Sequence, residues 1–381
     1  MRYGIDASNL VSGGGTNHLI NLLAHINGVR DRATSITVWA SDKLRAEIPR
    51  TKGIDVVTVP DINGSSLRRL FWQMRKLPYL AQDVCDSILV PGGIAGNHSI
   101  PMISMSRNML PYEMSEAFRY GISYMLIRLF YLRILQSRTF HHSSGVIFLS
   151  DYARDRVISQ IGKLRGKTVL IPHGINSRFF CKPRTQRRLE SYSMKDPFRL
   201  LYVSVVDVYK HQWNVVEAVS QLRKTGMPIR LDIVGPAYGP ALRRLTKTMN
   251  IWDTSRSFVR YHGNIAHTEL HHLFHKSDGF VFASTCENFP NILLEAMASG
   301  LPIACSNRRP MTDIVSDSCV LFDSLRTQSI AEAINMMIVD VSLRDRISKS
   351  VYEMASDYSW EKCSIRTFDF VDNCATAKVY N

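Results

Sequence analysis

Apolar and polar positions alternate in blocks along this chain. Short apolar runs recur at RYGIDA, SITVWA, IDVVTV, SILVPG, IPMISM, GVIFLS and TVLIPHGI, and the stretches between them space apolar residues three and four apart. The runs read as buried strands and the stretches as amphipathic helices. A strand covered on both faces is continuously apolar, whereas a surface helix repeats every 3.6 residues. A polar, basic and aperiodic segment, residues 177–197, interrupts the series and reads as a linker. A second series follows with RLLYVSVV, PIRLDIVG, FVRYHG, GFVFAS and PIACS, with helices expected near 212–224, 239–249 and 267–276. A helix near 343–356 leads into the amphipathic tail DYSWEKCSIRTFDFV. This pattern predicts an α/β protein with two doubly wound parallel sheets. The first domain would be residues 1–178, with 358–381 packing back on it, and the second 197–357.

A length of 381 residues with 45% apolar content suits two cores of ordinary size. The seven cysteines are odd in number and scattered, which argues against a disulfide framework or a zinc site and fits a reducing, cytosolic setting. The opening residues do not pair a basic segment with an apolar one, and no run reaches the roughly 18 apolar residues of a membrane span. The expected location is the cytoplasm, with a peripheral membrane position as the variant. Charge sharpens this picture. The net charge is +14, and residues 1–178 hold 22 Lys and Arg against 12 Asp and Glu, so a polyanionic partner would meet the first domain.

Candidate chemistry concentrates in STCENFPNILLEAMASGLPI, residues 284–303. Pro290 suits a first helical position and Gly300 a stop, so a helix is expected from Pro290 to Ser299 with Glu287 in the loop before it. Glu295 then shares a face with Asn291 inside an otherwise apolar helix. A carboxylate there would bind sugar hydroxyls, or else be a surface acid of an amphipathic helix. The free N–H groups of the first turn, at the carboxyl end of a strand, suit a diphosphate. The glycine turn SGGGT after the first strand offers Gly14 and Gly15 for close backbone approach to a phosphate or acceptor, or simply makes a tight turn.

The stretch FASTCENFPNILLEAMASGLPIACSN resembles the E-x7-E donor element of glycosyltransferase family 4, retaining enzymes of GT-B architecture. SGGGTNHL, FLSDYARDRV, IPHGIN, VSVVDVYKHQ, VRYHGNI and SNRRPMTDIV extend the likeness over nearly the whole chain. The resemblance implies two Rossmann-like domains facing across a cleft and transfer of a hexose from a nucleotide diphosphate sugar to a glycan. Glu295 would bind the nucleotide ribose. Glu287, with Asn288, Phe289, Pro290 and Asn291, would hold the donor sugar and phosphates, and Lys210 would stabilise the leaving diphosphate. Asn264, Ile265 and Arg308 join the donor side by the same likeness.

Two departures stand out. An Arg common five residues before the Lys is Val205 here, with Arg308 or Arg309 as substitutes, and an H-D-L-x-P element reads RNMLP, with Arg107 and Asn108 in its polar places. His18, His173 and His211 are further cleft candidates, the first two and Arg107 and Asn108 on the acceptor side. No D-x-D occurs and no spacing reads as a metal site, so no metal and no cofactor is expected beyond the nucleotide-sugar substrate.

SLRRLFWQMRKLPYL, residues 66–80, and FRYGISYMLIRLFYLRILQSR, residues 118–138, mix Arg and Lys with aromatic and aliphatic residues. They read either as helices for an anionic membrane surface, where a polyprenyl-linked acceptor would lie, or as helices packed in the first domain with Arg stems over apolar surface. The leading expectation is a glycosyltransferase of bacterial surface polysaccharide synthesis. A nucleotide-sugar epimerase or hydrolase is the alternative. Nucleic-acid binding, suggested by charge alone, leaves both glutamates without a role.

Overall fold

The computed structural model describes residues 1–11, 13–26 and 34–376; Ser12 of the glycine turn and the last five residues of the expected terminal segment lie outside the described residues. The chain divides into two compact units. The first comprises residues 1–114, 122–174 and 358–381, the second 115–121 and 175–357.

The first unit is built on seven parallel strands: β1 (Arg2–Asp6), β2 (Ser35–Trp39), β3 (Ile54–Val57), β4 (Ser87–Val90), β5 (Met102–Ser106), β6 (Gly145–Phe148) and β7 (Lys167–Leu170), in the order β3-β2-β1-β4-β5-β6-β7. Its central strands β4, β5 and β6 are buried at every residue, which is why they read as unbroken apolar runs. The terminal helix Trp360–Ala375 belongs to this unit. Tyr3 donates its hydroxyl to Asp372 at 2.6 Å, and Ser364 donates to the Leu22 carbonyl at 3.0 Å.

The second unit has six parallel strands: β8 (Phe198–Val203), β9 (Ile229–Val234), β10 (Val259–Tyr261), β11 (Gly279–Phe282), β12 (Ile303–Ser306) and β13 (Val320–Phe322), ordered β10-β9-β8-β11-β12-β13. In both sheets the order reverses once, between β1 and β4 and between β8 and β11. Ligands of such sheets sit outside the carboxyl ends of the strands at that reversal.

Some elements differ from the sequence pattern. Residues 177–197 are not a free linker: the Cys181 amide donates to the Ala298 carbonyl at 3.0 Å, and Arg184 and Arg344 donate to the carbonyls of Ser277 and Arg187. These bonds tie the segment to the second unit. The stretch 118–138 is not one helix, because Gly121 takes φ +62° and separates a short 3₁₀ turn, Phe118–Tyr120, from the helix Tyr124–His142. Residues 66–80 likewise break into helices Ser66–Phe71 and Leu77–Val84 around a π-helical turn, Trp72–Lys76. That turn swings Gln73 inward to donate to Asp6 and to the Ile94 carbonyl. Strand β13 and the helix Thr327–Val339 have no counterpart in the expected elements.

Candidate active site

The loops after β8 and β11 flank the reversal of the second sheet, and they carry the strongest candidates. Lys210 follows β8. Its side chain lies 7% exposed between the rings of Tyr209 and Phe282, each about 5.0 Å from the ammonium, and is paired with the carboxylate of Glu287 in the loop after β11. Tyr202 fixes this loop by donating its hydroxyl to the Lys210 carbonyl, and His211, in the left-handed region at φ 50°, donates or accepts at Thr285 Oγ1 across 3.0 Å. Burial, helped by Arg119 and Arg244, pushes the His211 imidazole down to about 3. Asp207, in the same loop, accepts from the Tyr120 hydroxyl at 3.0 Å, and burial raises its carboxyl above the usual range.

The helix after β11 runs Asn291–Ala298, one residue shorter at each end than expected, with Pro290 at its N-cap. Asn288 and Pro290 are buried, and Phe289 and Asn291 partly so. Glu295 is not a surface acid: it is 5% exposed, and Oε1 meets Nε2 of His267 at 2.7 Å, whereas Oε2 is buried with no hydrogen-bond partner. His267 opens the helix His267–Lys276, and its Nδ1 lies 2.6 Å from a guanidinium nitrogen of Arg178. Sequence reasoning missed His267 and Arg178. It stopped two residues short of the first, at Asn264 and Ile265, which lie exposed and partly exposed in the loop after β10. Arg308 is exposed, and Arg309 is held by Asp313 at 2.8 Å.

The first unit shows a different arrangement after its own first strand. Gly13 has φ +77° and Gly14 opens the helix Gly14–Ala24. Arg107, after β5, donates to the carbonyls of Gly14 at 2.6 Å and Gly15 at 3.3 Å; a Cβ at Gly15 would press on Leu10 at 3.1 Å, whereas one at Gly14 would meet the guanidinium only in ordinary contact at 3.9 Å. Burial lowers its pKa to about 10. Asn108 accepts from the Leu110 amide at 3.1 Å, which makes it a turn residue of its own loop. One turn along the glycine helix, His18 is 0% exposed with neither ring nitrogen hydrogen-bonded, and its ring lies 4.6 Å from that of buried His173 and 5.7 Å from Trp360. Burial first, then neighbouring charge, holds both imidazoles well below the usual range. Farther out, Leu67, Phe71, Tyr79 and Leu80 and, on the second basic segment, Ile122, Tyr124, Ile127, Tyr131 and Ile134 are exposed. Of the helix Tyr124–His142 only Leu129, Gln136, Thr139 and Phe140 are buried, so these side chains do not pack in the core.

Among the described residues, no three His, Cys, Asp or Glu side chains gather as a metal-binding group, and no helix is long and apolar enough to cross a membrane.

A family model described as glycosyl transferases group 1 matches residues 184–354, nearly all of the second unit. This chain carries a group 1 glycosyl transferase domain. The group 1 domain therefore contains Lys210, Glu287, Glu295 and His267. The chain is similar to the O-antigen chain mannosyltransferase B of Escherichia coli, with 26% identity over 231 residues, 59% of this chain and 57% of that protein. It thus spans little more than half the length of that curated relative. Among solved structures, it is similar to sucrose-phosphate synthase from Thermosynechococcus elongatus, with TM-score 0.77, 16% identity and 99% and 100% of the two chains covered. The Anabaena HepE protein in complex with UDP and glucose gives TM-score 0.71, 18% identity and coverage of 98% and 100%. These structures share the fold: GT-B, with two Rossmann-like domains, consistent with the two strand orders.

Proposed function

We propose that the chain is a retaining glycosyltransferase of family 4, which moves a hexose from a nucleotide diphosphate sugar to a lipid-linked glycan in the synthesis of a bacterial surface polysaccharide. The observation that carries this reading is a gathering of groups at the β8–β11 reversal of the group 1 domain. A buried ammonium, a helix N-terminus and a buried carboxylate with one unpartnered oxygen all lie there. In the free chain Glu287 neutralises Lys210. A bound diphosphate takes over that role, and Glu287 is released toward the hydroxyls of the sugar. The first N–H groups of Asn291–Ala298 have no acceptor within the helix, and in this reading they too serve the anion. As the glycosidic bond breaks, negative charge grows on the β-phosphate, where a fixed ammonium in a water-poor setting stabilises the transition state more than the ground state. Glu295 accepts from the ribose. In this reading Lys210 and the helix carry the phosphate charge, with no divalent cation.

The acceptor side belongs to the first unit. Its exposed apolar residues alternate with Arg68, Arg69, Arg75, Arg128 and Arg133, a composition that suits an anionic lipid surface. That supports a cytoplasmic enzyme, peripheral at the inner membrane, where a polyprenyl-linked glycan is presented. The name of the Escherichia coli relative, an O-antigen chain mannosyltransferase, supports a polysaccharide product.

The test is transfer by the purified chain, with EDTA present, from a panel of nucleotide sugars to a polyprenyl-linked acceptor, with the product linkage read by NMR. Retention at the anomeric carbon is expected. Inverted linkage, or hydrolysis or epimerisation of the donor without acceptor, would replace the proposal with another GT-B activity.

A further inference from the structure

Glu295 sits at the end of a chain of three side chains contributed by three separate elements. Arg178 comes from the 3₁₀ turn Ser177–Phe179, His267 from the first residue of His267–Lys276, and Glu295 from the helix after β11. The protonation pattern follows from their chemistry. A guanidinium only donates, so Nδ1 of His267, 2.6 Å from Arg178, accepts and carries no proton. The ring proton therefore lies on Nε2 and is donated to Oε1 of Glu295 across 2.7 Å. The frame holding these groups is closed. Ser299, at the end of the Glu295 helix, donates to the Phe179 carbonyl at 3.0 Å, and the Phe179 ring packs 5.3 Å from that of His267. One carboxylate oxygen is thereby engaged by a fixed donor. The other, Oε2, is buried and has no partner, an arrangement that loses free energy unless a donor from outside fills it.

We propose that Arg178 and His267 are positioning residues for nucleotide recognition, which orient Glu295 so that Oε2 alone receives one hydroxyl of the ribose. This rests on the reading of Glu295 as the ribose-binding acid. Two consequences separate it from a merely structural cluster. The two ribose hydroxyls are unequal, because Oε1 is already engaged. The imidazole is replaceable by a side chain that both accepts at one end and donates at the other, as glutamine does, and not by one that only fills its volume.

The experiment is calorimetric titration of the whole chain with UDP, GDP and ADP, then with the 2′-deoxy and 3′-deoxy forms of whichever nucleotide binds. The wild type is expected to lose about tenfold or more in affinity for one deoxy form and less than about threefold for the other, since a hydrogen bond to a charged group is worth about 1.5–3 kcal/mol. His267→Phe should bind the parent nucleotide about tenfold more weakly and treat all three sugars alike, whereas His267→Gln keeps most of the preference; Arg178→Ala should fall between them. Ratios between sugars within one variant are independent of the fraction folded. Equal loss for both deoxy forms in the wild type, an unchanged preference in His267→Phe, or a His267→Gln as indifferent as His267→Phe would each overturn the positioning role while leaving nucleotide binding intact. Absence of nucleotide binding by the wild type would overturn the ribose reading and this proposal with it.

Discussion

The two units repeat one plan, a parallel sheet with a single reversal, yet they treat buried charge in opposite ways. In the second unit each buried charged group near the reversal has a partner: Lys210 has Glu287, and Glu295 has His267 backed by Arg178. In the first, Arg107 spends its hydrogen bonds on the carbonyls of Gly14 and Gly15, and His18 is buried with neither ring nitrogen hydrogen-bonded. A paired ammonium can exchange its partner for a phosphate with little change in net charge. A cation set against carbonyls keeps its charge uncompensated, and a dry imidazole must stay neutral. Under the proposed function, the second unit is thus prepared to receive and release a charged ligand, whereas the first offers a fixed positive field and, farther out, exposed apolar side chains.

The sharpest way to break this contrast is Lys210→Ala. Under the proposed function, loss of the ammonium that faces the leaving phosphate should lower kcat by about 10²–10³-fold, measured with the donor whose nucleotide binds. A fall of less than about fivefold would show that the pair is structural. Next in size is Glu287→Ala, which leaves a buried ammonium unpaired and should destabilise the chain by about 3 kcal/mol in urea unfolding, with the double variant recovering part of the loss.

The first unit gives a pH signature of opposite origin. The His18 and His173 imidazoles are depressed in the folded chain, so below their ordinary value of about 6.5 the unfolded state binds protons that the folded state refuses. Their contribution to stability is present above that value and is lost as pH falls, by about 1.4 kcal/mol per pH unit for each histidine. His18→Phe should flatten the acid slope by one such increment, read from urea midpoints between pH 6.5 and 5. An unchanged slope would mean that His18 is protonated in the fold. The smallest expected effect on folding is at the exposed face. Ile127→Asp with Tyr131→Asp should leave stability within about 0.5 kcal/mol while reducing sedimentation with anionic vesicles. Unchanged vesicle binding would remove that face from the membrane proposal.

The sequence was most legible where one physical rule dominates. Strands covered on both faces read as apolar runs, and eleven-residue or longer helices such as Gln212–Lys224 showed their period. Strand β13 has three residues with an exposed middle one, Leu321, as β10 has with Arg260, but it lacks the family-like text VRYHGNI that marked β10. The break at Gly121 escaped because apolar and basic residues continue on both sides of a single glycine at positive φ. At the site, Lys210, Glu287 and Glu295 were legible as candidates through a text likeness and the position of a helix start. Their pairing was not, since Lys210 and Glu287 are 77 residues apart. Arg178 and His267 lie 89 residues apart and belong to no motif, and Arg178 fell in a segment whose polar composition disguised its packing. The usable hint was Glu295 itself, because a carboxylate on an apolar helix needs a partner from elsewhere in the chain.

The most direct measurement is thermal unfolding of the purified chain with UDP, GDP and ADP in EDTA, repeated with Glu295→Ala and Lys210→Ala. A nucleotide at a hundred times its dissociation constant should stabilise the wild type by about 2.7 kcal/mol, a clear upward melting shift, and both substitutions should remove most of it. If no nucleotide shifts the wild type, or if both variants respond as it does, the groups gathered after β8 and β11 are a structural network and not a donor site.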